Sequence, residues 1–132
     1  MAWRSYDLDR RAQKLVLEAK QRDRESLNQA YKMRSTVAFG LERFWGEHLR
    51  LQGTHGNNAK ATYWQETWNA LVDIMRQAGV TIPNDPVRVD NTRNIQAMAE
   101  KLWSLSLEDQ RVVIAVLTQL CDCIIWWTQR YK

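Results

Sequence analysis

The chain has 132 residues, 45% of them hydrophobic and 26% charged, which suits one buried core, is too short for two independent ones, and lies outside disordered compositions. Five Gly and two Pro argue against a turn-rich β protein, and seven Trp are the one unusual count. The net charge of +4 is concentrated in residues 1–52, where eleven Lys or Arg face seven Asp or Glu, so an acidic or phosphate-bearing partner is expected on that side.

Met1 is followed by Ala-Trp-Arg-Ser and then charges, without an apolar run, so no secretory leader is predicted and the chain is expected in the cytoplasm. Ser5 or Asp7 is placed to cap a first helix running to about Lys20, with Leu8, Ala12, Leu15 and Ala19 as its inward stripe. Its other face carries Arg10, Arg11 and Lys14, interleaved with Asp9 and Glu18. The charge-rich stretch Gln21 to Ser26 predicts either a continuation of that helix or a break near Asp23.

A second helical segment, about Glu25 to Leu51, sets Leu27, Ala30, Tyr31, Ala38, Leu41, Trp45, His48 and Leu49 on one side and Arg34 and Arg43 largely elsewhere. Gly40 costs about 1 kcal/mol relative to Ala in a helix interior, so it marks either a close crossing or a kink. Gly53 is a natural stop, and the residues from there to Ala61 read as a loop. Thr62 and Gln65 form a capping-box signature for a third helix, in which Trp64, Trp68, Leu71, Met75 and Ala78 repeat at helical spacing before Gly79. Pro83 and Pro86 make 79–92 an ordered turn or an exposed loop. A fourth helix, roughly Arg93 to Leu105, uses Ile95, Met98, Ala99, Leu102 and Leu105, and Ser106 with Asp109 then caps a fifth.

That fifth helix, Leu107 to Tyr131, is the most apolar stretch of the chain. Val113, Leu117, Leu120, Ile124, Trp127 and Tyr131 share one face, and Val112, Val116, Cys123 and Trp126 make the flanking faces apolar, so it is expected to be covered on several sides. Length and the carboxylate of Asp122 argue against a membrane span. The prediction is an all-α fold, residues 1–132 forming a single-domain bundle of five to six helices around this apolar C-terminal helix. Trp64, Trp68, Trp126 and Trp127 are expected to pack in the core. Trp3 and Trp45, nearer the basic segment, are the candidates for an exposed protein interface.

No Gly-rich phosphate loop, HExxH, GxSxG or CxxC is present, so no catalytic residue, metal site, cofactor or small-molecule substrate is predicted. Cys121 and Cys123 lie about 200° apart around a helix and read as small core residues rather than a disulfide or shared metal site. His48 and His55 read as surface or cap residues. Asp122 must face outward or be paired, an Arg of the first two helices being the expected partner. A small enzyme built on Asp122 or the histidines would need a second polar group converging on them. The remaining positive signal is cations interleaved with aromatics: Arg10 and Lys14 are one helical turn apart, a spacing that suits phosphates and equally suits a solvated helix face.

Both ends of the chain resemble the small-subunit family of type III CRISPR effector complexes, most closely the Cmr-type (III-B) small subunit. Arg11-Ala12-Gln13-Lys14 with Val16 is similar to the start of that family's first helix. Leu117-Thr118-Gln119, then Trp127, Arg130 and Tyr131, is similar to its last, and Thr36 to Phe39 corresponds to a small-residue and Phe segment of its second. The region from Trp45 to Trp68 departs from the pattern. The resemblance implies a non-catalytic all-α subunit. Copies of it would stack beside other effector subunits and contact guide and target RNA through phosphates, with cleavage left to those other subunits. Arg10, Arg11, Lys14, Arg34 and Arg43, nominated by charge, are the candidate RNA contacts. The alternative is a helical protein–protein adaptor with no nucleic-acid role.

Overall fold

A computed structural model describes residues 7–132 as an all-α bundle. Its elements are α1 (Leu8–Arg22), a 3-10 turn (Arg24–Asn28), α2 (Gln29–Thr36), a second 3-10 turn (Val37–Phe39), α3 (Leu41–Gln52), α4 (Asn58–Gln77), α5 (Thr92–Trp103) and α6 (Leu107–Tyr131). Trp3 and Ser5 lie outside the described residues.

The α1 stripe is the expected one with Val16 added, and the small Ala12 and Ala19, both fully buried, suit close packing against α6. The chain breaks at Asp23, whose carboxylate accepts from the Glu25 N–H at 3.1 Å and caps the following 3-10 turn. Gly40 separates α2 from α3 as a kink, with φ 101° and ψ 170°. This backbone region belongs to glycine, and nothing lies within 4 Å of an added Cβ, so a substitution there meets backbone strain rather than a clash. Gly40→Ala is expected to cost about 1–3 kcal/mol, read as a lower urea midpoint at unchanged slope.

The α4 helix starts one turn earlier than the Thr62 capping box predicts. Thr62 Oγ1 instead donates to the Asn58 carbonyl at 3.0 Å, a back-bond inside the helix. Burial of Ala61, Tyr63 and Trp64 extends the helix past the local cap signal, because tertiary packing outweighs a cap worth about 1 kcal/mol. Its far end follows the sequence: Gly79 has positive φ, its N–H donates to the Arg76 carbonyl, and the Val80 N–H donates to the Met75 carbonyl, together a Schellman motif. Asn91 and Ser106 cap α5 and α6 by accepting from the N–H groups of Asn94 and Asp109.

Between α1 and α3 lies α4, packed against both, and its tryptophans fill the centre. Trp45, Trp64 and Trp68 are at most 1% exposed, and the Phe44 ring lies 4.9 Å from Trp64 and 6.3 Å from Trp68 between centroids. The predicted interface role of Trp45 is therefore corrected: with Leu41, Phe44 and His48 it belongs to the buried face of α3. A further correction concerns α6. By length and composition it qualifies as a membrane span, but α1, α2 and α4 cover its inner stripe, while Val112 and Trp126 (52% exposed) remain outside. Covering helices exist on one side only, so of the flanking apolar residues Val116 is buried and Cys123 partly buried, while Val112 and Trp126 are left open.

His48 is buried rather than on the surface, and its Nδ1–H donates to the Trp45 carbonyl. Burial lowers its pKa from the usual 6.5, partly offset by that hydrogen bond, so the folded chain holds the neutral ring. The unfolded chain binds the proton more readily, so the stability present above the unfolded value is lost as pH falls through the depressed folded one. The unfolding midpoint is expected to decline as pH falls below about 6.5, and His48→Gln to flatten that decline.

Candidate nucleic-acid interface

Five cations were nominated, and the fold separates them into two groups. Arg11 reaches from α1 to Asp73 on α4 at 2.7 Å, half hidden between the two helices. Arg34 on α2 donates through Nε to Asp122 Oδ1 on α6 at 2.8 Å. Both tie helices together and are already neutralised. Arg10, Lys14 and Arg43 are exposed and have no ion-pair partner among the described residues. The first two sit one turn apart on α1 and the third on α3, so they occupy helices that flank α4 rather than one continuous stripe.

Arg43 has the more informative surroundings. It lines an open cleft of about 280 Å³ with Phe39, Glu42, Leu102, Trp103 and Gln110, at the meeting of α3, α5 and α6. Phe39 is 67% exposed and Trp103 61%, the two most exposed aromatic rings among the described residues. Phe39 ends the 3-10 turn just before Gly40, and the kink there carries it out of the core. Trp103 directly follows Leu102, and one residue along a helix turns its side chain about 100° from the buried stripe of Met98, Ala99 and Leu102. The amphipathic pattern of α5 was therefore sufficient to find Trp103. Phe39 has no such helical stripe to mark it, and the kink at the adjacent Gly40 was one of two alternatives in the sequence.

Two exposed π faces beside an unpaired guanidinium provide stacking surface and phosphate contact together. The cleft lining also includes the buried apolar side chains of Leu41 and Leu102.

Asp122 is both outward-facing and paired, with an Arg of the second predicted segment as its partner. Because both partners are largely solvated, Asp122→Asn is expected to cost less than about 1 kcal/mol, measured as a small shift in the thermal midpoint. His48 lies in a different cleft with Asn84 and Asp85, so Asp122 and His48 do not converge. Burial pushes the Cys121 thiol up to about 12, which keeps it protonated near neutral pH. No three His, Cys, Asp or Glu among the described residues are grouped to hold a metal ion.

Compared with family models, curated proteins and solved structures, the chain gives no match.

Proposed function

We propose that this chain is a non-catalytic structural subunit of a type III CRISPR ribonucleoprotein, contacting guide or target RNA through phosphates and unstacked bases. Its partners on this reading are other effector subunits, copies of itself and RNA, in the cytoplasm. The observation that carries the reading is the Arg43 cleft, which Arg43, without an ion-pair partner among the described residues, lines together with the exposed rings of Phe39 and Trp103. Arg10 and Lys14, exposed and one turn apart on α1, add phosphate contacts on a second face. Arg11 and Arg34 leave the candidate contact set, since each already serves an ion pair.

The test is single-stranded RNA binding against salt. Three phosphate contacts give a slope of about −2 in log affinity against log salt for a single strand. Reversing Arg10, Lys14 and Arg43 to Glu is expected to flatten it while leaving the helical circular dichroism unchanged. Unchanged affinity and slope in that variant would remove the RNA role.

The second reading, a protein adaptor, is favoured by the same exposed rings of Phe39 and Trp103, because large exposed aromatics are the usual anchors of protein interfaces. It predicts association that is insensitive to salt and lost on changing Phe39 or Trp103.

A further inference from the structure

The C-terminal end of α6 carries a second aromatic group, on a different surface from the Arg43 cleft. Trp126 and Trp127 meet edge to face, with centroids 5.0 Å apart and planes at 76°. Tyr131 stacks on Trp127 at 5.6 Å. The guanidinium carbon of Arg130 lies 5.6 Å from the centroid of each Trp ring, so this pair already attracts one cation.

Together with Cys123, Asp122 and, from α1, Asp9, the two tryptophans also line an open cleft of about 330 Å³, and Arg130 is not among its walls. One oxygen of Asp122 is taken by Arg34. Asp9 has no ion-pair partner among the described residues, so the cleft combines indole surface with an uncompensated carboxylate. The Cys123 thiol is pushed up to about 11, chiefly by burial and then by hydrogen bonding to Asp9, and it adds no charge at neutral pH. Two carboxylates, one already paired, and a neutral thiol are a poor ligand set for a metal ion.

We propose that this cleft between α1 and α6 binds a small organic cation, an alkylammonium or quaternary ammonium head seated against Trp126 and Trp127, with its charge met by Asp9. Aromatic walls attract such a cation through the ring quadrupole, and a neighbouring carboxylate adds direct attraction. The proposal is independent of the RNA reading, which uses other residues and the opposite ligand charge.

The test is a titration of the isotope-labelled full chain with choline, following the indole N–H signals of the tryptophans. Saturable shifts of the Trp126 and Trp127 signals are expected, and the uncharged carbon isostere of choline is expected to leave them in place. Asp9→Asn, an exposed position that should not disturb folding, is expected to weaken binding by roughly tenfold, and Trp126→Ala by at least as much. Equal shifts with the isostere, no saturation, or unchanged affinity in Asp9→Asn would overturn the proposal. A short peptide bearing trimethyl-lysine carries the same head group. Tighter binding of the peptide assigns the cleft to a side chain of a protein partner, and tighter binding of choline assigns it to a free cation.

Discussion

Replacing Trp64 by Ala lowers the unfolding free energy by about 3–5 kcal/mol, from a total of about 5–15 kcal/mol for a domain of this kind. The ring is 1% exposed and packs against Phe44, so its removal leaves a cavity that the surrounding helices fill only in part. It also removes the N–H that donates to Gln29 Oε1 at 2.9 Å. Gln29 is itself buried on α2, so its amide oxygen is stranded away from water. Urea titration followed by circular dichroism checks both contributions. Trp126→Ala, at a half-exposed ring, is expected to cost less than half as much, and equal costs would contradict the burial assigned to the two rings.

The second large effect concerns binding. Removing both Phe39 and Trp103 as Ala is expected to weaken single-stranded RNA binding by at least roughly thirtyfold, since stacking contributes about 1–3 kcal/mol per base. Both rings are mostly solvated in the free chain, so the thermal midpoint should hardly move. That contrast distinguishes a lost contact from lost folding. The salt slope separates the two readings. If the rings stack on bases while Arg10, Lys14 and Arg43 meet phosphates, the double aromatic variant loses affinity but keeps its slope, and the charge-reversed variant loses the slope. If the rings anchor a protein, RNA binding is unaffected and association with the partner is lost instead.

Local chemistry accounts for much of the architecture. Ser106 and Gly79 terminate helices as their side chain and its absence require, and the α1 stripe follows from helical spacing. These features involve residues within a turn or two of one another, so the chain carries them before any tertiary contact forms. The Arg43 cleft is different. Its walls come from residues 39 to 43, 102 to 103 and 110, and no periodicity within one helix states that they meet. The partners of Arg11 and Arg34 are also remote, at Asp73 and Asp122, which is why two cations that look alike in sequence to Arg10 and Lys14 turn out to be neutralised.

Trp45 and the C-terminal helix mark the boundary between the two kinds of information. The sequence alone determined that the fold is helical, where most helices end, and that Leu107 to Tyr131 is apolar nearly all round. Periodicity reports which side chains share a face but not whether another helix covers it. Only the tertiary structure decided that Trp45 is sealed in the core, while Trp126 and Val112 on α6 stay exposed. Burial depends on how many neighbours the chain can supply to each face, and with five other helices available α6 is covered on one side only. That shortage leaves Trp126 beside Asp9 at the surface, where the cation cleft is found.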